Sequence, residues 1–168
     1  MEAVTKAWIV FAPVASKAKF TDGDNVLQDR IPLPAIWRRY QLDFGRIVID
    51  GGPEALLFAA AYPIYYAGVI VRGDATDVSA DLVPNLASTF VYVVQTGEKV
   101  PPVVQTLEKG GHPADKLKVG PPTAMAEWLA SVKRVAPKAF KWVVKDRSAH
   151  RLAHWINIDG IDESAPLP

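Results

Sequence analysis

Four stretches of the chain are apolar through their centres: residues 6–12 (KAWIVFA), 46–50 (RIVID), 68–71 (GVIV) and 88–96 (STFVYVVQT). Short runs rich in β-branched and aromatic side chains predict strands covered on both faces. The segments between them carry helix signals. Pro34 and Pro53 each stand where a helix would begin, a position at which the missing N–H costs nothing, so residues 34–44 and the alanine-rich run from Pro53 are predicted helices. Residues 79–87 (SADLVPNLA) predict a short helix with a serine cap, weakened by Pro84. Residues 101–111 (PPVVQTLEKGG) predict a helix stopped by Gly110-Gly111. In 123–135, Met125, Trp128, Leu129, Val132 and Val135 recur with the period of a helix lying on a sheet.

The remaining pattern is shorter-ranged. Residues 116–120 (KLKVG) and 156–159 (INID) predict short strands, and 148–155 (SAHRLAHW) a short helix. In 139–145, Phe140, Trp142 and Val144 alternate with Lys141, Val143 and Lys145, which predicts an edge strand with one wet face. Asp22-Gly23-Asp24-Asn25 is a turn within the irregular segment 13–33.

Strands that alternate with helices need crossover connections, and those produce a mostly parallel sheet with helices on its faces. The expected fold is therefore α/β: a Rossmann-like three-layer sandwich with about five to six strands, in one domain of residues 1–160 followed by a tail at 161–168. A partial β/α barrel is the runner-up that the same alternation allows.

Composition narrows the class without naming a function. The 168 residues are 49% apolar and 22% charged, enough for a real core. A net charge of +1 gives no global field to recruit nucleic acid or a membrane. The absence of cysteine excludes disulfides, thiolate metal sites and cysteine nucleophiles. Residues 55–71 carry no charge, just short of the ~18 to 20 residues that span a bilayer. Pro63 and Gly68 divide that run, so a buried helix followed by a strand is expected rather than a membrane span. The N-terminal residues lack a basic region ahead of their apolar run, so no secretory signal is expected and a cytoplasmic or host-intracellular location is the default.

In a parallel sheet, ligands bind beyond the carboxyl ends of the strands. Here those ends read Asp50-Gly51-Gly52, Arg72-Gly73-Asp74, Thr96-Gly97-Glu98, Gly120-Pro121-Pro122 and Lys145-Asp146-Arg147-Ser148. An anionic or nucleotide-like small ligand would be held by Gly51, Gly52, Arg72, Gly97, Asp50 and Asp146, with Asp74 and Glu98 as candidate catalytic groups holding a metal or acting as base. No phosphate-loop or dinucleotide fingerprint accompanies Gly51-Gly52. Pro53 removes one donor and Glu54 puts a negative charge where an anion would sit, so this turn reads first as a plain strand-to-helix turn. The four acids Asp50, Asp74, Glu98 and Asp146 have their own bland explanation, as partners of Arg72, Lys99 or Arg147.

Other motifs are weaker. His150 and His154 would share one face of the expected helix, but Arg151 stands where a zinc-protease helix needs glutamate, and no metal is assigned. Ser148 and Thr96 lack the surroundings of an activated nucleophile, and TDGDN at 21–25 lacks the glutamate that would close a calcium loop. From Lys133 to Arg151 seven basic residues face one acid, with Trp142 and Trp155 nearby. That stretch suits phosphates or single-stranded nucleic acid, or else a lysine-guarded sheet edge, which is favoured. The absence of a catalytic motif and the 14 prolines also fit a non-catalytic subunit of a larger assembly, for example a viral particle. Such a subunit would meet a protein partner or its own copies through an apolar patch around Trp37, Tyr40 or Tyr65-Tyr66.

Overall fold

Strands β1 (Val48–Gly51), β2 (Gly68–Val71), β3 (Phe90–Val94) and β4 (Leu117–Gly120) form one parallel sheet in chain order, β1-β2-β3-β4. The computed structural model describes residues 38, 40, 42–73, 79–144, 152–154 and 156–157. The chain divides into two compact units, residues 1–43 and 44–168, and the sheet belongs to the second. The expected strand 6–12, the turn at 22–25, most of the expected helix 34–44, and Asp74, Asp146 and His150 lie outside the described residues.

The ladder pairs Ile49 with Val69, Val69 with Val91, and Val91 with Leu117, so these side chains share one face. Helix α1 (Pro53–Ala61), a 3-10 segment at Ala80–Leu86 and helix α2 (Pro102–Lys109) connect the strands. All three pack on that face: Leu56, Ala59, Leu86, Val103 and Leu107 enclose Val69, Val71, Val91 and Val93 in a single core. Parallel strands in sequential order place successive right-handed crossovers on one side, which explains the shared face. Alanines at 55, 59, 60 and 61 let α1 lie close to the sheet.

The opposite face carries Gly68, Ile70, Phe90 and Tyr92. Helix α3 (Met125–Ser131), entered through a 3-10 turn at Pro122–Ala124, covers it. Trp128 lies 5.3 Å from the Tyr92 ring centroid, and a Cβ on Gly68 would stand 3.0 Å from the Trp128 indole and 3.1 Å from Val132. Glycine at the start of β2 is what lets α3 come this close. Arg46 donates to the Ala130 carbonyl, and the Arg134 N–H donates to the Gly45 carbonyl at 2.7 Å, fixing the end of α3 beside the start of β1.

Four expectations are corrected. Strand β1 ends the described order and is only half buried, with Asp50 exposed, whereas β2 is buried throughout. Helix α3 stops at Ser131; Val132 is extended yet buried, and Val135 is 68% exposed, off the expected stripe. Residues 138–144 form no strand. The buried Asn85 carboxamide takes the place of a neighbouring strand, accepting from the Val143 N–H at 2.7 Å and donating to the Val143 carbonyl at 2.9 Å. Residues 152–157, expected to span a helix end, hold the antiparallel pair β5 (Leu152–Ala153) and β6 (Ile156–Asn157), with His154 turning between them at φ 51°.

Candidate functional site

At the carboxyl end of β2 the chain leaves the sheet at Arg72, whose N–H still donates to the Gly51 carbonyl at 2.8 Å. That bond prolongs the ladder by one residue and turns the Arg72 side chain to the α3 face, the face shared by Asp50. The two meet as a fork: Nε donates to Asp50 Oδ1 at 2.6 Å and Nη2 to Oδ2 at 2.8 Å. Nη2 also approaches the Met125 sulfur at 3.6 Å, so the first turn of α3 flanks the pair. Hydrogen bonding to Asp50 raises the Arg72 pKa above its ordinary value. The guanidinium is therefore a fixed cation with its orientation locked, and its Nη1 makes no hydrogen bond to any described residue. Both side chains are nearly half exposed, 45% for Arg72 and 44% for Asp50.

The predicted site residues do not all converge. Asp50 and Arg72 do; the acid that answers Arg72 is Asp50, and Asp74 lies outside the described residues, as does Asp146. Gly51 and Gly52 lead into α1, on the other face of the sheet. Gly52 occupies the cap position without a side-chain hydrogen bond, and a Cβ there would meet the Glu54 Oε2 at 2.8 Å. The helix thus folds its own carboxylate over the place an anion would take. Gly97 and Glu98 stand exposed beyond β3, where a Cβ on Gly97 would meet nothing within 4 Å. The Glu98 carbonyl accepts from Gln95 Nε2 at 3.1 Å, which closes that turn.

The connections define a crevice that strand order alone conceals. From β3 the chain turns to α2 on the core face, and from β4 it turns to α3 on the other. Neighbouring strands whose connections part to opposite faces open a gap at their carboxyl ends. This gap lies between Gln95–Lys99 and Gly120–Met125, with Arg72 one strand away beside Met125. Tyr92 closes its floor: the phenol donates to the Pro121 carbonyl at 2.8 Å, and a Cβ on Gly120 would lie 2.5 Å from its oxygen. Tyr92 is a residue that sequence reasoning missed; Gly120 was read only as a strand end, and its glycine was the one signal that a side chain closes in on it.

A second concavity of about 230 Å³ lies along β4, lined by Phe90, Lys116, Lys118, Glu127, Trp128 and Ser131 among others. Lys116 crosses it with its ammonium on the Ala87 carbonyl at 2.8 Å. His154 contacts Ser88, with Oγ and Nε2 3.2 Å apart, and meets the Phe140 ring edge-on. Burial, aided by Arg134 and Lys116, lowers its pKa. Because His154 lies in a turn, the helical pairing expected of the two histidines does not form at this end. Among the described residues no three potential ligands gather into a metal-sized group, and no helix is long and apolar enough to cross a membrane. Comparison with protein families, with curated proteins and with solved structures finds no match for this chain.

Proposed function

We propose that this chain is a small α/β ligand-binding protein whose ligand rests over the carboxyl ends of β1 to β4, with Arg72 as the receiving residue. One observation carries the reading: the Asp50 fork fixes Arg72 at the strand ends, with Nη1 hydrogen-bonded to none of the described residues. An arginine held in a fork is preorganised, so less side-chain freedom is lost when it binds a carboxylate or phosphate. The exposed turn at Gly97 and Glu98 supplies approachable backbone on the other side of the crevice. In this reading the sheet is a Rossmann-like sandwich of five to six strands, and an anionic or nucleotide-like molecule is the ligand class. A catalytic version would use Glu98, together with Asp74, as base or metal holder.

The test is calorimetric titration with ATP, inorganic phosphate and magnesium, followed by the Arg72→Ala variant. A half-exposed ion pair contributes only about 0–1 kcal/mol, so the variant should keep its melting temperature while binding more than tenfold more weakly. Parallel losses of stability and affinity would make Arg72 a structural partner of Asp50 instead.

A second reading, the assembly subunit, has its own observation. Phe44, Tyr65 and Val135 are exposed, and Arg134 ties their loops together by bonding the Gly45 and Ile64 carbonyls. Tyr66, its expected companion, is buried. Failure of every ligand above, with co-assembly of the protein and another chain, would favour that reading. The basic stretch gains less support: Lys133, Lys138 and Lys141 are exposed, but the Trp142 Nε1 is buried, which does not suit a stacking platform.

A further inference from the structure

We infer that the ligand of this crest is a carboxylate with an apolar body, an aryl or acyl acid, rather than a phosphate or a nucleotide. The inference rests on the ligand-binding reading above and names the ligand class. Nε and one hydrogen of Nη2 go to Asp50, on one side of the Arg72 guanidinium. The other Nη2 hydrogen and Nη1 make up the edge away from Asp50, whose described neighbour is the Met125 sulfur at 3.6 Å. A thioether is a weak acceptor, so a carboxylate can take its place and receive two parallel N–H bonds from that edge.

The two sides of the crevice decide what the rest of the ligand must be. They turn into α2 at Pro101-Pro102 and into α3 at Pro121-Pro122, four residues that carry no N–H. The carbonyls around them are already taken. Pro121 accepts from the Tyr92 phenol at 2.8 Å and from the Ala124 N–H at 3.1 Å. Gly120 accepts from the Gln95 N–H at 2.9 Å, and Glu98 from Gln95 Nε2 at 3.1 Å. A phosphate is held by several N–H groups converging on its oxygens, as a glycine-rich loop supplies. Prolines at both helix entries remove that possibility here. The turn at 97–99 keeps its N–H groups and the Lys99 ammonium, but it stands exposed to water. Beside it Val100 is 50% exposed, and Met125 is half-buried next to Arg72. One guanidinium edge for a carboxylate, set among prolines, a valine and a methionine, suits an acid whose body buries apolar surface.

Calorimetric titration with 3-phenylpropionate and octanoate, against acetate, inorganic phosphate, ATP and the uncharged 3-phenylpropanol, tests the class. At least one apolar acid should bind at least tenfold tighter than all four comparison molecules. Arg72→Ala should weaken that acid more than tenfold, whereas Lys99→Ala should leave it unchanged. Val100→Ser, at a half-exposed position, should weaken it at least threefold with no change in melting temperature. Phosphate or ATP bound tighter than both acids, and weakened by Arg72→Ala, overturns the inference and leaves the crest reading standing. An acid that binds Arg72→Ala or Val100→Ser as well as the wild type, or is lost with Lys99→Ala instead, also overturns it. Silence from every probe defeats both.

Discussion

His112 offers the sharpest test of how this core is built. Helix α2 ends with the Gly111 N–H on the Glu108 carbonyl at 3.0 Å and the His112 N–H on the Leu107 carbonyl at 2.9 Å. In this glycine-stopped ending, the residue after the glycine folds back to cover the last turn, a place normally given to an apolar side chain. His112 takes it and is buried, with neither ring nitrogen in a well-formed hydrogen bond to a described residue; the nearby Lys116 backbone offsets this burial only in part. Burial is the chief cause of a pKa pushed down to about 4 from 6.5. The unfolded chain therefore takes up the proton first as pH falls, so stability is complete above pH 6.5 and is lost as pH falls towards 4. The full loss is about 3 kcal/mol, of which roughly 2 kcal/mol should be gone by pH 5. Urea unfolding followed by tryptophan fluorescence at pH 7.5, 6 and 5 measures it against His112→Leu, which cannot titrate. All other titrating groups are common to both proteins, so the difference between the curves isolates His112. The wild type should lose about 2 kcal/mol more than the variant by pH 5. Parallel curves would refute the argument and show that the ring reaches solvent or a partner.

Two further outcomes follow from packing. Trp128→Ala removes the side chain that joins α3 to Tyr92 and Gly68, and chemical denaturation should show a loss of roughly 3 to 5 kcal/mol; a loss below about 1 kcal/mol would mean that this face is not a core. Asn85→Ala strands the Val143 N–H and the carbonyls of Ala60 and Val143, so it should cost about 1 to 3 kcal/mol. Hydrogen exchange should then speed up at Val143 first, and unchanged exchange there would show that another group holds this segment.

Much of the frame was written in local pattern. Continuous apolar runs at β2 and β3 announced strands covered twice, because a parallel sheet shows both faces to helices. Gly110-Gly111 announced the end of α2, and the spacing of Trp128 and Leu129 announced the buried side of α3, since both signals come from the geometry of one turn. The positions of Asp50 and Arg72 at strand ends were equally legible. What they do there was not, because their contact joins residues 22 apart and depends on which strands are neighbours.

Tertiary structure decided the rest. Residues 139–145 alternate as an edge strand should, yet Val143 finds its hydrogen bonds on Asn85, which serves a backbone as well as another strand would. Histidines four apart predicted a helical face, but His154 sits at positive φ in a two-strand turn, anchored near Ser88 on β3's approach. A sequence reports the period of its side chains, which one element sets by itself. It does not report which distant group will satisfy a backbone amide, cover a histidine or neutralise an arginine, because those partners are chosen only when the sheet and the helices around it close on one another.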